Sequence, residues 1–219
     1  KNTTYEFVKD IYKGIADACD KYSVKVIGGD ITRADKVVIS ICAIGKKNCK
    51  YLAQRNFAQV GDLLVVTGSH GSSGAGLKCF EKNIDNVFLK NKHLLPQPKF
   101  EQASMLSNAI TKNIACMDSS DGLYDAVLKI CEASNVSVQL DFDIIPYDKE
   151  IELFEDYKDL ILFGGEDFEL VFSVSEDDYL KLDKNKFFVI GKFVDKSEDL
   201  VINDLKYSLG RVFEHFLNS

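Results

Sequence analysis

The sequence has no tryptophan, only three prolines and three histidines, and its six cysteines (Cys19, Cys42, Cys49, Cys79, Cys116, Cys131) form no C-x-x-C pair. That scatter argues against a cysteine-based zinc site and against a disulfide framework. Cys42, set in VVISICAIG, reads instead as a reduced core residue. None of His70, His93 and His215 stands beside a nucleophile and an orienting partner, so each reads as a surface or hydrogen-bonded structural residue. No apolar run approaches the roughly 20 residues that cross a bilayer, and no signal layout opens the chain. No membrane partner is expected, and a cytoplasmic location is the default. Net charge is −7 with no cluster of Lys and Arg, so the counterion-release term that drives nucleic-acid binding has no source.

What is present is ordinary globular composition, 219 residues with 46% hydrophobic and 28% charged, enough for one large core or two modest ones. The chain starts at Lys1 rather than Met and enters an amphipathic pattern within a few residues, which suggests a longer polypeptide upstream. Thr3 or Thr4 caps a helix carrying Phe7, Ile11, Ile15 and Ala18 at helical spacing and ending near Tyr22 and Ser23. VKVIGGD (24–30) and KVVISICAIG (36–45) read as strands, the second apolar enough to be covered on both faces. The polar stretch 46–61 is the candidate domain boundary, because the buried strand DLLVVTG follows it. Beyond it come the loop GSHGSSGAGL running into a helix, the proline-marked turn HLLPQP, the amphipathic helix GLYDAVLKICEAS, and the strands VSVQLDF, FELVFSV and KFFVIGKFV. The alternation points to α/β or α+β.

Three segments set carboxylates beside glycines at strand ends: Gly28-Gly29-Asp30, Asp118-Ser119-Ser120-Asp121-Gly122 and Gly164-Gly165-Glu166-Asp167. Glycine lets backbone approach a ligand, and hard carboxylate oxygens suit Mg²⁺. The spacing of Asp118 and Asp121 lets both face one ion at a helix start, where amide N–H groups can hold a phosphate. The plain alternative is turn chemistry, with Ser120 or Asp121 simply capping the following helix. GSHGSSGAGL lacks the G-K-[ST] ending of a P-loop, and packing of a helix against a sheet explains Gly74 and Gly76 at least as well as ligand contact does.

GGDITR (28–33), Arg55 with Gly61-Asp62 leading into VVTGSHGSSGAGL, the P-x-P turn, DSSDGL (118–123), GGEDFEL (164–170) and a terminal G-x-x-F-E-H-F (210–216) together resemble the thiamine-monophosphate kinases, relatives of aminoimidazole ribonucleotide synthetase. The resemblance covers the whole chain. It implies an α+β architecture in which residues 1–60 are the remnant of an N-terminal ATP-binding domain, packed on a larger C-terminal α+β domain, 61–219. It also implies transfer of the ATP γ-phosphoryl group to thiamine monophosphate with several Mg²⁺ ions, no protein nucleophile, and a homodimer in the full-length protein. Residue by residue, Asp30, Asp118 and Asp121 look like Mg²⁺ ligands; Gly29, Asp30, Arg55 and Ser120 look like ATP contacts. Glu166 matches the substrate-binding position, and Phe213 matches the aromatic that stacks on thiamine. The family's N-terminal GDDAA-type carboxylate pair is absent from these residues, and Ile31 replaces a usual Thr. Two other readings compete: another ATP-dependent member of the superfamily, synthetase-like or acting in hydrogenase maturation, and a non-catalytic fragment.

Overall fold

The structure, a computed structural model, describes residues 3–197, 200–202 and 205–207 and divides into two compact units, Lys1–Lys47 and Asn48–Ser219. In the first unit, helix α1 (Tyr5–Lys21) starts where the sequence predicts. The Thr4 hydroxyl accepts the Phe7 amide N–H at 3.2 Å, and Glu6 in the first turn complements the helix dipole. The two strands expected over 24–30 and 36–45 do not form. A strand exists only through a ladder partner, and among the described residues none pairs with either segment. Val26, Ile27, Val38, Ile41 and Ile44 are consequently exposed rather than covered on both faces, and Cys42 is exposed rather than in a core.

The second unit contains β1 (Ala53–Gln54), β2 (Leu63–Val66), α2 (Ser72–Glu81), α3 (Val87–Leu94), α4 (Phe100–Ala109), β3 (Ile114–Asp118), α5 (Leu123–Ser134) and β4 (Ser137–Leu140). These are followed by α6 (Tyr157–Phe163), β5 (Leu170–Val174), α7 (Glu176–Tyr179), β6 (Phe188–Val194), β7 (Leu200–Ile202) and β8 (Leu205–Tyr207). The strands join in the order β1-β3-β5-β2-β6-β4-β7-β8, antiparallel at every pairing except β1 with β3 and β4 with β7. The fold is therefore mixed α+β, as the alternation of patterns implied.

The central strands are apolar at successive positions because both faces of the sheet are covered. On β2, Leu64 and Val66 enter a core with Ala75 and Cys79 of α2, Leu89 of α3, and residues of α5 and α6. Val65 points the other way, to Leu106 and Ala109 of α4 with Phe172, Val174 and Phe187. Each large side chain so buried contributes about 1.5–3 kcal/mol.

The glycines of the loop–helix segment serve packing, against a neighbouring helix and loop rather than against the sheet. A Cβ on Gly76 would overlap the Leu89 carbonyl oxygen and sit 2.9 Å from His93 Cβ, and a Cβ on Gly74 would lie 3.3 Å from Gly164 Cα. Their absence lets α3 and the loop after α6 press against α2. Gly76→Ala is expected to destabilise the fold by about 1–3 kcal/mol through overpacking, read as a lower urea midpoint at unchanged m-value; a midpoint equal to wild type would show that α3 shifts freely.

Candidate functional site

The antiparallel sheet brings the C-terminal ends of β2 and β3 and the start of β5 to one edge, and short hydrogen bonds lace them. Thr67, just past β2, gives its hydroxyl proton to Glu169 Oε2 at 2.6 Å, and its Oγ1 accepts the Leu170 N–H at 2.9 Å. Past β3, the Ser119 N–H donates to the Glu169 carbonyl at 2.9 Å, while Ser119 Oγ accepts the Glu169 N–H at 3.1 Å. Glu169 is buried and gains its counter-charge from Lys99 Nζ at 2.5 Å. A Cβ on Gly68 would lie 2.7 Å from that carboxylate, so the position admits glycine alone without rearrangement.

The Gly164-Gly165-Glu166-Asp167 segment follows helix α6 and leads into β5, rather than ending a strand. Its backbone runs against Ser120: the Glu166 N–H donates to the Ser120 carbonyl at 2.8 Å, and a Cβ on Gly165 would stand 2.7 Å from that oxygen. Asp167 then turns to α2, its two carboxylate oxygens accepting the Gly71 N–H at 2.6 Å and the Ser73 N–H at 2.8 Å. It supplies the cap that α2 lacks from its own sequence, where Gly71 holds φ 90° and offers no side chain. Glu166 and Phe168, on either side of Asp167, take left-handed conformations with φ 65° and 52°. Such strain in bulky residues persists only where surrounding contacts enforce it, and it gathers at ligand sites.

The Asp118–Gly122 segment leaves β3 and enters α5 through Gly122, φ 103°, with no side chain capping the helix. The N-cap position thus falls on Gly122 rather than on Ser120 or Asp121. Asp118 ends the strand, and Asp121, just before the helix, meets Lys129 Nζ through Oδ2 at 3.2 Å. Lys129 also holds the buried Asp125 at 2.7 Å, and these partners raise its pKa, Asp125 foremost. Among the described residues no three His, Cys, Asp or Glu side chains form a ready-made metal cage.

Asp118, Ser120, Asp121 and Glu166 thus stand at one sheet edge. Arg55 does not join them: its carbonyl accepts from Ser134 Oγ at 3.0 Å, at the far end of α5. Twelve helical residues separate that end from Asp121, about 18 Å at 1.5 Å per residue. Beside Asn56, a cavity of about 340 Å³ lined by Phe57, Gln59, Lys112 and Asn113 opens at the start of β3, the opposite end of that strand from Asp118. Gly29 and Asp30 belong to the first unit, where Asp30 Oδ1 accepts the Ile31 N–H at 2.8 Å. Phe213 and His215 lie outside the described residues.

The two described histidines are both hydrogen-bonded residues of the fold. His70 is structural but fully buried, with Nδ1 at 3.1 Å from the Gly68 carbonyl, and burial lowers its pKa to about 4. His93 is half-buried and its Nδ1 lies 3.0 Å from Ser73 Oγ and 3.7 Å from Glu166 Oε2. No spacing in the sequence pairs these three residues; only the packing of α3 on α2 does.

The chain matches the AIR synthase related proteins, their C-terminal domain family over residues 59–203 and their N-terminal domain family over residues 1–46. A thiamine-monophosphate kinase of Synechococcus elongatus is 33% identical over 96% of this chain and 68% of its own length. One of Bacillus subtilis is 32% identical over 78% of this chain and 55% of its own length. The structure of AaThiL complexed with AMPPCP and TMP superposes with a TM-score of 0.81, covering 99% of this chain and 70% of that one at 22% identity. The chain belongs to the thiamine-monophosphate kinase family. It spans between about half and two thirds of the length of these curated relatives.

Desolvation raises the Asp167 carboxyl from 3.8 to about 7, against the opposing pull of the Ser73 and Gly71 amides. The folded chain therefore keeps a proton that the unfolded chain releases, so this contribution to stability is complete below the unfolded value and is lost as pH rises through the folded one. Urea denaturation of wild type and Asp167→Asn across that window is expected to show the wild type losing ground to the variant as pH rises from 4 to 7. A pH-independent difference between the two would show that Asp167 stays ionised throughout.

Proposed function

We propose that this chain carries the phosphate- and acceptor-binding part of an ATP-dependent kinase that converts thiamine monophosphate to thiamine diphosphate. The observation that carries the reading is the sheet edge at which Asp118, Ser120 and Asp121 meet an α5 start with no side-chain cap, opposite the strained Glu166 loop. An uncapped helix start favours an anion, and paired carboxylates favour a dication beside it. Family membership gives the substrates: the relatives at 33% and 32% identity are thiamine-monophosphate kinases.

The acceptor is itself a phosphate, largely dianionic at neutral pH because its second pKa is about 6. No protein nucleophile or strong general base is needed. The task is to bring two negative groups into line. Mg²⁺ is usually bound through one or two carboxylates with phosphate oxygens completing its shell, and Asp118 and Asp121 fit that sparse donor set although no three-residue cage exists among the described residues. When bound, the ion supplies charge neutralisation for the transferring phosphoryl group. In this reading Asp118 and Asp121 orient that charge, Ser120 lines the nucleotide side, and Glu166 meets the thiamine moiety. Gly29 and Asp30, in the stretch 1–60 read as the remnant of an ATP-binding domain, keep the nucleotide and metal roles that the family resemblance implies, and 61–219 is read as the C-terminal domain. Arg55, which the resemblance makes a contact to the ATP phosphates, has its backbone about an α5-length from Asp121. The complete enzyme is read as a cytoplasmic homodimer, which light scattering of the full-length protein checks.

The direct test is Mg²⁺-dependent formation of thiamine diphosphate from ATP and thiamine monophosphate by the 219-residue chain and by a full-length protein side by side. Product from the full-length protein supports the reading, and a folded, ATP-binding protein that makes none overturns it. Asp121→Asn in the full-length protein is expected to lower kcat by about 10²–10³, about 2.7–4 kcal/mol, as for other fixed electrostatic groups. Unchanged turnover would remove Asp121 from the site.

A further inference from the structure

The start of α2 gathers more polar groups than its own cap requires. Ser73 gives its amide proton to Asp167 Oδ1 at 2.8 Å, and its hydroxyl lies 3.0 Å from His93 Nδ1. The same imidazole nitrogen stands 3.7 Å from Glu166 Oε2. The Glu166 side chain is 59% exposed and the His93 side chain 20%, so the carboxylate faces outward with the imidazole behind it. The backbone around both is held tightly. Glu166 is fixed at φ 65° with its N–H on the Ser120 carbonyl, and α3 is pressed onto α2 at Gly76, where any Cβ would sit 2.9 Å from His93 Cβ.

We infer that His93 is a positioning residue for Glu166, with Ser73 orienting the imidazole and the glycines of α2 setting the distance between the helices. The inference deepens the proposed function and rests on it, because Glu166 matters here as the group that meets the acceptor's organic end. A free glutamate side chain samples many rotamers, and holding it in one costs entropy; a neighbour that restricts it beforehand removes part of that cost at binding. The charge pattern also fixes which end of the acceptor lies here. The α2 amides that would attract a phosphate are already occupied by the Asp167 carboxylate. With Glu166 adjacent, the locality suits a cationic or amino-bearing heteroaromatic ring and repels the phosphate end.

The test is a double-mutant cycle in the full-length protein, comparing wild type, His93→Ala, Glu166→Gln and the double variant by steady-state kinetics. His93→Ala is expected to raise KM for thiamine monophosphate about tenfold while KM for ATP stays within about twofold. In the Glu166→Gln background the same substitution is expected to add less than about twofold, because the group it positions is already altered. If His93→Ala does not fold, His93→Gln, which keeps a donor at similar reach, takes its place, and partial retention of affinity is expected. Equal effects of the His93 change in both backgrounds, parallel movement of KM for ATP, or no effect on either KM would each overturn the inference while leaving the kinase reading intact. A wild-type protein that forms no thiamine diphosphate would instead remove the kinase reading, and this inference with it.

Discussion

The carboxylate of Asp167 on the first amides of α2 is the contact on which the edge site depends. It fastens the loop between α6 and β5 to a helix distant in sequence, and the adjoining backbone bonds from Glu166 and Glu169 fasten the same loop to Ser119 and Ser120. Left-handed backbone at Glu166 and Phe168 costs about 1–2 kcal/mol each. A hydrogen bond returns about 0.5–1.5 kcal/mol net, so the two on Asp167 offset part of that strain. Without them the loop would relax, and Glu166 would lose its place. The neighbouring glycines are needed for the same reason: at Gly164 and Gly165 a Cβ would strike the Leu160 or Ser120 carbonyl, and the loop could not close on its partners.

Two helix starts at this edge have opposite fates, and that difference organises the site. The start of α2 is filled by a carboxylate from within the protein, whereas α5 begins at Gly122 with no side-chain cap. Anion affinity is thus spent at one and retained at the other. Under the proposed function, phosphate chemistry would sit beside Asp118, Ser120 and Asp121, and the organic part of a ligand toward Glu166, His93 and Ser73. The sheet supplies this polarity by placing the end of β3 next to the start of β5 in antiparallel register, Asp118 opposite Leu170.

Legibility in the sequence followed the range of the interactions. Helices α1 and α5 and strands β2, β4, β5 and β6 were readable because caps and apolar periodicity are local. The segments 24–30 and 36–45 carry strand-like composition, yet a ladder partner is not a local property, and neither segment acquires one among the described residues. The three carboxylate–glycine motifs were visible as motifs, but their division of labour was not. Glu166 and Asp167 are neighbours in sequence; one faces outward and the other caps a helix about 95 residues earlier. His93 was unreadable as anything but a lone histidine, since its partners come from α2 and from the loop before β5.

Under the proposed function, the ion pairs around Asp121 would let a cation bind without stranding a buried charge. Removing one partner from a buried ion pair ordinarily costs about 3–5 kcal/mol. Lys129 is shared: it binds Asp121, which is partly open to solvent, and Asp125, which is buried one helical turn further on. A cation that draws Asp121 away leaves Lys129 still paired to Asp125, and the buried carboxylate keeps its counter-charge. Glu169 is treated differently, with Lys99 and Thr67 both committed to it, as suits a residue that joins strands rather than meets a ligand. Under the proposed function Asp121 would be the carboxylate that meets a cation and Glu169 the one that joins strands, a distinction that follows from Lys129 having Asp125 as a second partner.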